Sequence, residues 1–453
     1  MKVRFLAASA AAALMLSALT ACSTPTSEST DTSGPTGTGS APSAADQPYA
    51  GTTLTYWATN QGSSLDDDKA ILQPELDKFK QQTGITVNLE VIPWSDMTNN
   101  TLQAAISGQG PDVVNIGNTN ATTLQATNAF MPFDSAALTA IGGKDKFVAS
   151  AWKTAGPAGK DPTSVPLYSQ VYGLFYNKAM FAAAGLQPPT TWEDLVADAK
   201  TLTDPAKGTW GIVAPAGTVN VSMHIEYIFA AQNGGSPFLD DGTPDFVTQA
   251  NIDAVKRYID LMATDKVLNP SAAQYSDGVQ ATNEFATGKV GMYMAQTGNV
   301  NALAQQGMKP DQYGVVPVPA PAGGKSVGSF IAGTNISVFS FTQHKEAALE
   351  FVKFMTSAAE QEILNKAFRM ISPVQGVPAS AFAEWPELMQ VWPTILQNNA
   401  IPMALVSTVS AYQTNVGGGI VALFAQAASG SPVTEDTIKT MLDEAQQKML
   451  AAG

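Results

Sequence analysis

Residues 165–195 read VPLYSQVYGLFYNKAMFAAAGLQPPTTWEDL, and this stretch determines how the rest of the chain is organised. It begins with apolar and aromatic residues that predict a buried strand. A short helix follows, and Gly185 is placed to end it in the left-handed conformation. Pro188 and Pro189 exclude further helix, and Thr191 is a capping residue for the next one. One strand therefore leads into a series of helices, as expected where a chain leaves one domain and starts another.

The N-terminal segment has the features of a secretory signal. Lys2 and Arg4 form a short basic region, and the apolar stretch after them is too short to span a bilayer comfortably. Residues 19–22 read LTAC, which resembles the lipobox of bacterial lipoproteins. We therefore predict that residues 1–21 are a signal peptide and that Cys22 is lipidated, which would anchor the protein outside the cytoplasmic membrane or in the periplasm. Cys22 is the only cysteine, so a disulfide is excluded.

A flexible tether is predicted for residues 22–48. This segment is rich in Ser, Thr, Pro, Gly and Ala and has almost no large apolar side chain. It cannot bury enough apolar surface to offset the entropy lost on ordering. We expect it to hold a globular body away from the membrane.

The composition indicates a globular body of two domains with no affinity for nucleic acid. About 400 residues follow the tether, which is too many for one small core. Apolar residues make up 45% of the chain, as in ordinary globular proteins, and the net charge is −14. An acidic chain without Lys/Arg clusters disfavours nucleic acid as a partner.

Strands and helices alternate in the first part of the body. Residues 54–57, 85–91 and 112–116 have strand patterns, and helical patterns lie between them. This order predicts an α/β fold with a parallel sheet, in which ligands bind at the carboxyl ends of the strands. The loops that begin at Ala58, Gly117 and Ser169 are therefore the first candidates for a binding site.

Six short pieces of sequence, taken in order, resemble the extracellular solute-binding proteins of ABC importers. The resemblance is to the carbohydrate-binding branch that includes maltose-binding protein, and it covers nearly everything after the tether. The pieces are TGITV at 83–87, AISGQGPDV at 105–113, GLFYNK at 173–178, TWEDL at 191–195, FATGKVGM at 285–292 and HKEAA at 344–348.

The resemblance implies a two-lobe fold that closes on a sugar. Each lobe would be a mostly parallel sheet flanked by helices, and a multi-strand hinge would join the lobes. We expect residues 49–165 and 318–343 in the first lobe, and residues 166–317 and 344–453 in the second, with helices flanking the hinge. The implied partners are a neutral saccharide and the membrane permease subunits. The chain is expected to be a monomer without enzymatic activity, catalytic residues, metal or cofactor.

Carbohydrate sites combine aromatic faces, which cover the apolar face of the sugar ring, with amides that pair its hydroxyls. The loops after the first and third strands carry such residues. Trp57, Asn60 and Gln61 follow the first strand, and Asn118 and Thr119 follow the third. We predict ligand contacts from all five.

The second group of candidates begins in the opening stretch. Gln170 stands where the resemblance implies a carboxylate that binds the sugar, and an amide keeps the hydrogen bonding without the charge. Tyr172 shares its strand face by the period of two. Asn299 follows a strand where relatives have a Gly-x-Trp motif, which this chain lacks. The predicted contacts in this group are Gln170, Tyr172, His224, Tyr227, Asn299 and Ser329.

Two other classes of function stay open from the sequence. A lipid-anchored glycoside hydrolase would need two carboxylates facing the cleft, and the candidate loops carry amides instead. A binder of a peptide, polyamine or polyol is the second alternative. A polyamine site would need a ring of acids, and no such ring is visible in the candidate loops. With two histidines and one cysteine in the leader, a zinc site is not expected.

Overall fold

The structure is a computed structural model that describes residues 47–62, 64–157 and 159–452. The predicted signal peptide, Cys22 and most of the predicted tether lie outside these ranges. Within the described ranges, no helix has both the length and the apolar character needed to cross a bilayer.

Strands and helices alternate along the described chain. The strands are β1 (Thr53–Thr59), β2 (Thr86–Ile92), β3 (Val113–Gly117), β4 (Val165–Gln170), β5 (Tyr172–Asn177), β6 (Trp210–Val213), β7 (Val290–Gln296), β8 (Tyr313–Val316), β9 (Ser329–Val338) and β10 (Ala400–Pro402). The helices are α1 (Leu65–Thr83), α2 (Trp94–Ser107), α3 (Ala121–Gln125), α4 (Ser135–Ala140), α5 (Ala149–Trp152), α6 (Lys178–Ala184), α7 (Trp192–Leu202), α8 (Val219–Gln232), α9 (Gln249–Ala263), α10 (Val279–Ala286), α11 (Asn299–Gln305), α12 (Lys345–Met355), α13 (Ala358–Phe368), α14 (Pro386–Thr394), α15 (Val409–Tyr412), α16 (Gly418–Ala428) and α17 (Glu435–Ala452).

The first sheet has the order β10-β9-β3-β1-β2, and β4 also pairs with β9. β1 runs parallel to β2 and β3, because α1 and α2 return the chain to the same edge after each strand. β9 comes from much later in the chain and lies antiparallel to β3 and β4. The carboxyl ends of β1, β2 and β3 share one edge, as the sequence predicted.

The second sheet has the order β6-β7-β5-β8 and differs from the prediction of a mostly parallel sheet. Only the β6–β7 pair is parallel, whereas β5 lies antiparallel to β7 and β8. The reason is the route of the chain, since β5 enters directly from the first sheet and β8 leads back to it. The α/β class and the two lobes are as predicted, and the second sheet is mixed.

The opening stretch crosses from one sheet to the other at Val171. Ser169 pairs with Gly333 of the first sheet, whereas Tyr172 pairs with Gln296 of the second. Gly333 has φ of +135°, and a Cβ there would lie 2.0 Å from the carbonyl oxygen of Tyr168, so glycine is required. The predicted boundary after residue 165 is therefore wrong by one strand, because β4 belongs to the first sheet.

Residues 344–453 were predicted to lie in the second lobe, and the structure contradicts this for α12 and α13. Phe351 of α12 instead packs on Tyr56 and Phe79 of the first lobe, with ring centroids 5.0 and 5.3 Å away. α13 contributes Leu364 to the same core. Their apolar faces cover α1 and the first sheet, because these surfaces would otherwise face water. β10 also pairs with β9 in the first sheet.

The later helices α16 and α17 pack on the second lobe. Phe424 of α16 meets Tyr258 of α9 edge to face, with centroids 4.8 Å apart. Ile438 and Leu442 of α17 lie in the same core. Buried apolar side chains pack on both faces of each sheet, and the described chain crosses between the sheets at Val171 and again between β8 and β9.

Local signals in the opening stretch are confirmed. Gly185 ends α6 with φ of 69°. Thr191 caps α7, and its hydroxyl accepts a hydrogen bond from the backbone N–H of Asp194. The Asp194 carboxylate in turn accepts from the Thr191 N–H, which completes a capping box.

Candidate ligand-binding site

A cavity of about 420 Å³, which we call the central cavity, lies between the lobes. Its first-lobe wall comes from the start of α2 and the loop after β3. This wall contains Trp94, Thr98, Asn118, Thr119 and Asn120. These residues lie at the carboxyl ends of β2 and β3, where parallel sheets bind ligands.

The second-lobe wall and the floor complete the central cavity. Its second-lobe wall contains Asn220 and His224 of α8, together with Ser410, Gln413 and Thr414 of the segment that begins with α15. The floor is formed where the strands cross between the lobes, by Gln170 of β4, Gln296 of β7, and Phe330, Ala332 and Gly333 of β9.

Trp94 is the main aromatic surface of the first-lobe wall. It begins α2, and 43% of its surface is exposed, which is unusual for a tryptophan. The indole lies beside Gly117, where a Cβ would make an ordinary van der Waals contact of 3.4 Å with Cζ3. An exposed indole at a cavity wall can cover the apolar face of a ligand.

Five polar side chains of the central cavity have no hydrogen-bond partner within the described protein. They are the hydroxyl of Thr119 and the amides of Gln170, Asn220, Gln296 and Gln413. Each amide offers two donors and an acceptor. The five side chains come from both lobes and from the strand crossing, so a ligand that pairs with all of them must contact both lobes.

His224 is held in place by an underlying layer of buried residues. The Tyr172 hydroxyl lies 2.9 Å from His224 Nδ1, and the imidazole packs 4.5 Å from the ring of Phe330. The backbone N–H of Tyr172 donates to Ser329 Oγ at 2.7 Å. The Tyr172 hydroxyl has no other acceptor within the described protein, so we assign it as the donor to Nδ1. Nε2 then carries a proton and has no protein partner.

The central cavity is electrically neutral. The described residues that line it include no Asp, Glu, Lys or Arg. Burial lowers the pKa of His224 to about 3, so the imidazole is uncharged at neutral pH. Among the described residues, no group of His, Cys, Asp and Glu is placed to hold a metal ion. The site therefore matches a neutral polar ligand.

Four of the predicted contacts line this cavity, and two more support it from behind. Asn118, Thr119, Gln170 and His224 reach the cavity itself. Tyr172 and Ser329 are 3% and 0% exposed and form the layer beneath His224. Asn118 is also anchored, because its Nδ2 donates to the carbonyl oxygen of Ile331 at 3.1 Å.

The structure places the three candidates after β1 outside the central cavity. Trp57 packs against the core beside β3. Asn60 Nδ2 donates to the Asp68 carboxylate, which also accepts from the backbone N–H of Gln61. The Gln61 amide donates to the hydroxyls of Thr59 and Thr334, at 2.6 and 3.2 Å. The buried Asp68 side chain thus organises this loop, and its amides are used within the protein.

Tyr227 and Asn299 also lie away from the cavity. The Tyr227 hydroxyl donates to the carbonyl oxygen of Pro402 at 2.9 Å. Asn299 Nδ2 donates to the hydroxyls of Thr282 and Tyr293, at 3.3 and 3.2 Å. Tyr227 thus joins α8 of the second lobe to β10 of the first sheet, whereas Asn299 joins α10, β7 and α11 within the second lobe.

The sequence reasoning missed several residues of the central cavity. Trp94 and Gln296 follow strand ends, so the rule that selected Asn118 would have selected them too. Asn220 and Gln413 carry no local signal. They reach the cavity only because α8 and the segment after α15 pack together on the second lobe.

The chain matches a known family over most of its length. Residues 62–362 match the model of the family described as bacterial extracellular solute-binding protein. The diacetylchitobiose binding protein DasA of Streptomyces coelicolor is 26% identical over 325 residues, which cover 70% of this chain and 72% of DasA.

Two solved structures share the fold. The solute-binding protein of an ABC transporter from Thermotoga lettingae, bound with α-D-tagatose, superimposes with a TM-score of 0.73 at 22% identity and covers 88% of this chain and 100% of its own. The GacH receptor of Streptomyces glaucescens, solved unliganded and with acarbose, gives a TM-score of 0.73 at 21% identity over 88% of this chain and 98% of its own. These likenesses show the two-lobe architecture.

Proposed function

The chain belongs to the family of bacterial extracellular solute-binding proteins, and we propose that it is an extracytoplasmic receptor for a neutral saccharide. A monosaccharide or oligosaccharide binds between the lobes of a monomer, which then delivers it to the permease subunits of an ABC importer. The receptor catalyses no reaction on this ligand.

The observation that carries this proposal is the uncharged lining of the central cavity with its unpaired amides. Gln170, Asn220, Gln296 and Gln413 present donors and acceptors to the same space. A sugar hydroxyl both donates and accepts, so it matches an amide better than it matches a charged group. A desolvated hydroxyl left unpaired would cost about 1–3 kcal/mol, so binding needs such partners.

Trp94 supports the same chemistry. Its exposed indole lies on the wall that also carries Asn118 and Thr119. The face of a pyranose is apolar where C–H bonds point outward, and an aromatic ring covers such a surface favourably. A saccharide between Trp94 and the second-lobe wall would have both its apolar face and its hydroxyls satisfied.

The ligands of the relatives are saccharides or related compounds. Diacetylchitobiose, α-D-tagatose and acarbose are named for the three proteins compared above. They differ in size and chemistry, so we transfer to this chain the class of ligand and leave its identity to experiment.

Binding would favour the closed arrangement of the lobes. The ligand contacts of the first lobe, such as Asn118, and those of the second, such as Asn220, face one another across the cleft. A ligand gains both sets of contacts only when the lobes are closed, so it shifts the population toward that state. The crossings at Val171 and between β8 and β9 are the places where the chain would bend.

Two alternatives are disfavoured by the lining of the central cavity. A glycoside hydrolase needs a pair of carboxylates at the ligand, and the described lining residues include none. A polyamine or an anion needs opposite charge at the site, which the lining also lacks within the described chain.

We also propose that Cys22, outside the described residues, anchors the receptor to the membrane. The LTAC sequence at 19–22 supports this assignment. Cells that express the chain and are fed labelled palmitate should label it, whereas the Cys22→Ser variant should stay unlabelled. Equal labelling of both would overturn the anchor without affecting the assignment of the ligand.

A thermal-shift screen tests the proposed ligand class. The panel contains tagatose, ribitol, maltose, maltotriose, diacetylchitobiose, glutamate and spermidine. A ligand at a hundred times its dissociation constant should stabilise the protein by about 2.7 kcal/mol. We expect at least one neutral sugar to raise the unfolding midpoint and the charged compounds to leave it unchanged. A shift by glutamate or spermidine, with none by the sugars, would contradict the proposal.

A further inference from the structure

A second cavity of about 610 Å³, which we call the outer cavity, lies beside the central cavity. Thr122 and Gln125 line it from the first lobe, and Ser407 and Thr408 line it from the second. The same two segments of chain supply Asn120 and Ser410 to the central cavity, so the two cavities are neighbours in the cleft.

Two hydrogen bonds cross the cleft between these cavities. Ser410 Oγ donates to Asn120 Oδ1 at 2.9 Å. Thr123 Oγ1 donates to the carbonyl oxygen of Ser407 at 2.7 Å. We call these two bonds the partition. Asn120 is held for this role, because its Nδ2 donates to Thr98 Oγ1 at 3.4 Å on the first-lobe side.

We propose that the partition limits the length of saccharide that the receptor accepts, an inference that rests on the proposed function. A short saccharide fills the central cavity and leaves both hydrogen bonds of the partition intact. A longer saccharide reaches the outer cavity only when they break, so it binds with a penalty. The partition therefore selects for length through contacts that the protein makes with itself.

The outer cavity differs from the central one in being partly charged, because Lys160, Asp240 and Asp241 line it, and it also offers neutral polar groups to further sugar units. The hydroxyl of Thr122 and the Oε1 atom of Gln125 are buried there without a hydrogen-bond partner. Buried polar atoms are normally paired, so these two atoms would gain from the hydroxyls of an additional sugar unit. A longer ligand that passes the partition would bring its end into the cavity that Thr122 and Gln125 line.

The test is a comparison of ligand lengths by titration calorimetry. The probes are glucose to maltotetraose, and N-acetylglucosamine to its β-1,4-linked tetramer. The variants are Thr123→Val, which removes a hydroxyl from outside both cavities, and the double variant with Ser410→Ala. For each variant we compare the dissociation constant of the tetrasaccharide with that of the best shorter ligand. The ratio of the first to the second should fall about tenfold in the double variant, because the longer ligand no longer has to break the partition.

Matched controls remove hydroxyls that bond within one lobe. Thr127 Oγ1 donates to the carbonyl oxygen of Leu124 at 2.6 Å, and Ser429 Oγ donates to that of Gln426 at 2.7 Å. Thr127→Val and Ser429→Ala should keep the wild-type length preference. An unchanged preference in the double variant, or the same change in the controls, would overturn the role of the partition.

A readout without ligand separates this inference from the proposed function. In hydrogen exchange, residues 118–124 and 406–411 should both exchange faster in the double variant than in the wild type and the controls. If no variant binds either sugar series, the result counts against the saccharide assignment, and the hydrogen-exchange rates still test the partition. Unchanged exchange rates in both segments of the double variant would overturn the role of the partition.

Discussion

The Tyr412 hydroxyl donates a hydrogen bond to the buried carboxylate of Glu226, and this contact ties together two segments that line the central cavity. Glu226 lies on α8 two residues after His224, and Tyr412 lies between Ser410 and Gln413. Glu226 is 1% exposed, and burial raises its pKa to about 7 although the hydrogen bond opposes the shift.

The Glu226 carboxyl should make stability depend on pH near neutrality. Its pKa in the folded protein lies above the ordinary value of 4.5, so the folded state binds the proton more tightly. The resulting stabilisation is fully present below pH 4.5 and is lost as the pH rises through about 7. Between pH 5 and 8 the free energy of unfolding should fall by on the order of 2 kcal/mol more in the wild type than in Glu226→Gln.

Urea unfolding at a series of pH values measures this difference. Burial likewise raises the pKa of Glu360, so the stability of Glu226→Gln will still depend on pH. The difference between the wild-type and variant free energies of unfolding isolates the contribution of Glu226. The exposed Glu346 provides the control, because Glu346→Gln should follow the wild-type curve. Parallel curves for Glu226→Gln and the wild type would show that Glu226 is ionised throughout.

Trp94→Ala should weaken saccharide binding with little effect on folding. A tryptophan that anchors a ligand contributes about 2 kcal/mol, which corresponds to about thirtyfold in the dissociation constant. Trp94 is 43% exposed, so its truncation should cost less than the about 3–5 kcal/mol typical of a fully buried tryptophan, and the protein should stay folded. Calorimetric titration and urea unfolding measure the two quantities separately.

The matched control for Trp94 is Trp57→Phe in the core of the first lobe. Trp57 packs against β3 residues and does not line the central cavity. This variant should keep the affinity and lose some stability. If Trp94→Ala binds like the wild type, the indole is not a ligand surface and the proposed site loses its aromatic platform.

Local patterns predicted the fold well because they depend on neighbouring residues. The strand periodicity, the left-handed Gly185 and the capping box at Thr191 all appear where the sequence placed them. The boundary after residue 165 and the placement of α12 failed, since both depend on contacts between distant segments. Whether Phe351 packs on Tyr56 or on the second lobe is decided by the position of β9, which no local pattern encodes.

Only those residues of the candidate site that lie at strand ends could be predicted from the sequence. Asn118 and Gln170 follow that rule and line the central cavity, whereas Asn60 follows it and does not. Asn60 instead pairs with Asp68, a buried acid in the first turn of α1. Gln413 escaped notice because its position depends on how α15 packs on the aromatic cluster around Tyr412.

Gln170→Ala should weaken saccharide binding by about fivefold and leave the fold intact. The loss of one hydrogen bond to a ligand costs about 1 kcal/mol. The Gln170 amide has no partner within the described protein, so its removal leaves no buried group unpaired there. Calorimetric titration measures the loss of affinity, and urea unfolding should give the wild-type free energy of unfolding.

Asn299→Ala should give the reverse pattern. Its amide donates to Thr282 and Tyr293 within the second lobe, so the variant should be destabilised by about 1 kcal/mol. Its affinity at a temperature where it is fully folded should match the wild type. An affinity loss in Asn299→Ala equal to that of Gln170→Ala would mean that binding responds to general destabilisation and not to the cavity amides.

The hydrogen bond from Tyr172 to Nδ1 sets the tautomer of His224. Because burial lowers the pKa of His224 to about 3, its ring nitrogens should show no titration in ¹⁵N NMR spectra between pH 5 and 8. Tyr172→Phe removes the proton donor to Nδ1, so Nε2 is no longer fixed as a donor toward the cavity. The ¹⁵N shifts of both ring nitrogens should then move, and saccharide affinity should fall about fivefold.

Tyr227→Phe provides the control on the same helix. Its hydroxyl donates to the carbonyl oxygen of Pro402, so the variant loses a buried hydrogen bond but keeps the Tyr172–His224 contact. The His224 ring shifts should stay at their wild-type values in this variant. The wild-type ¹⁵N spectrum should show the ring proton on Nε2. A proton on Nδ1 instead would mean that the phenol accepts from Nδ1 and that Nε2 is an acceptor. A titration of His224 above pH 5 would instead mean that water reaches the imidazole in the second-lobe wall.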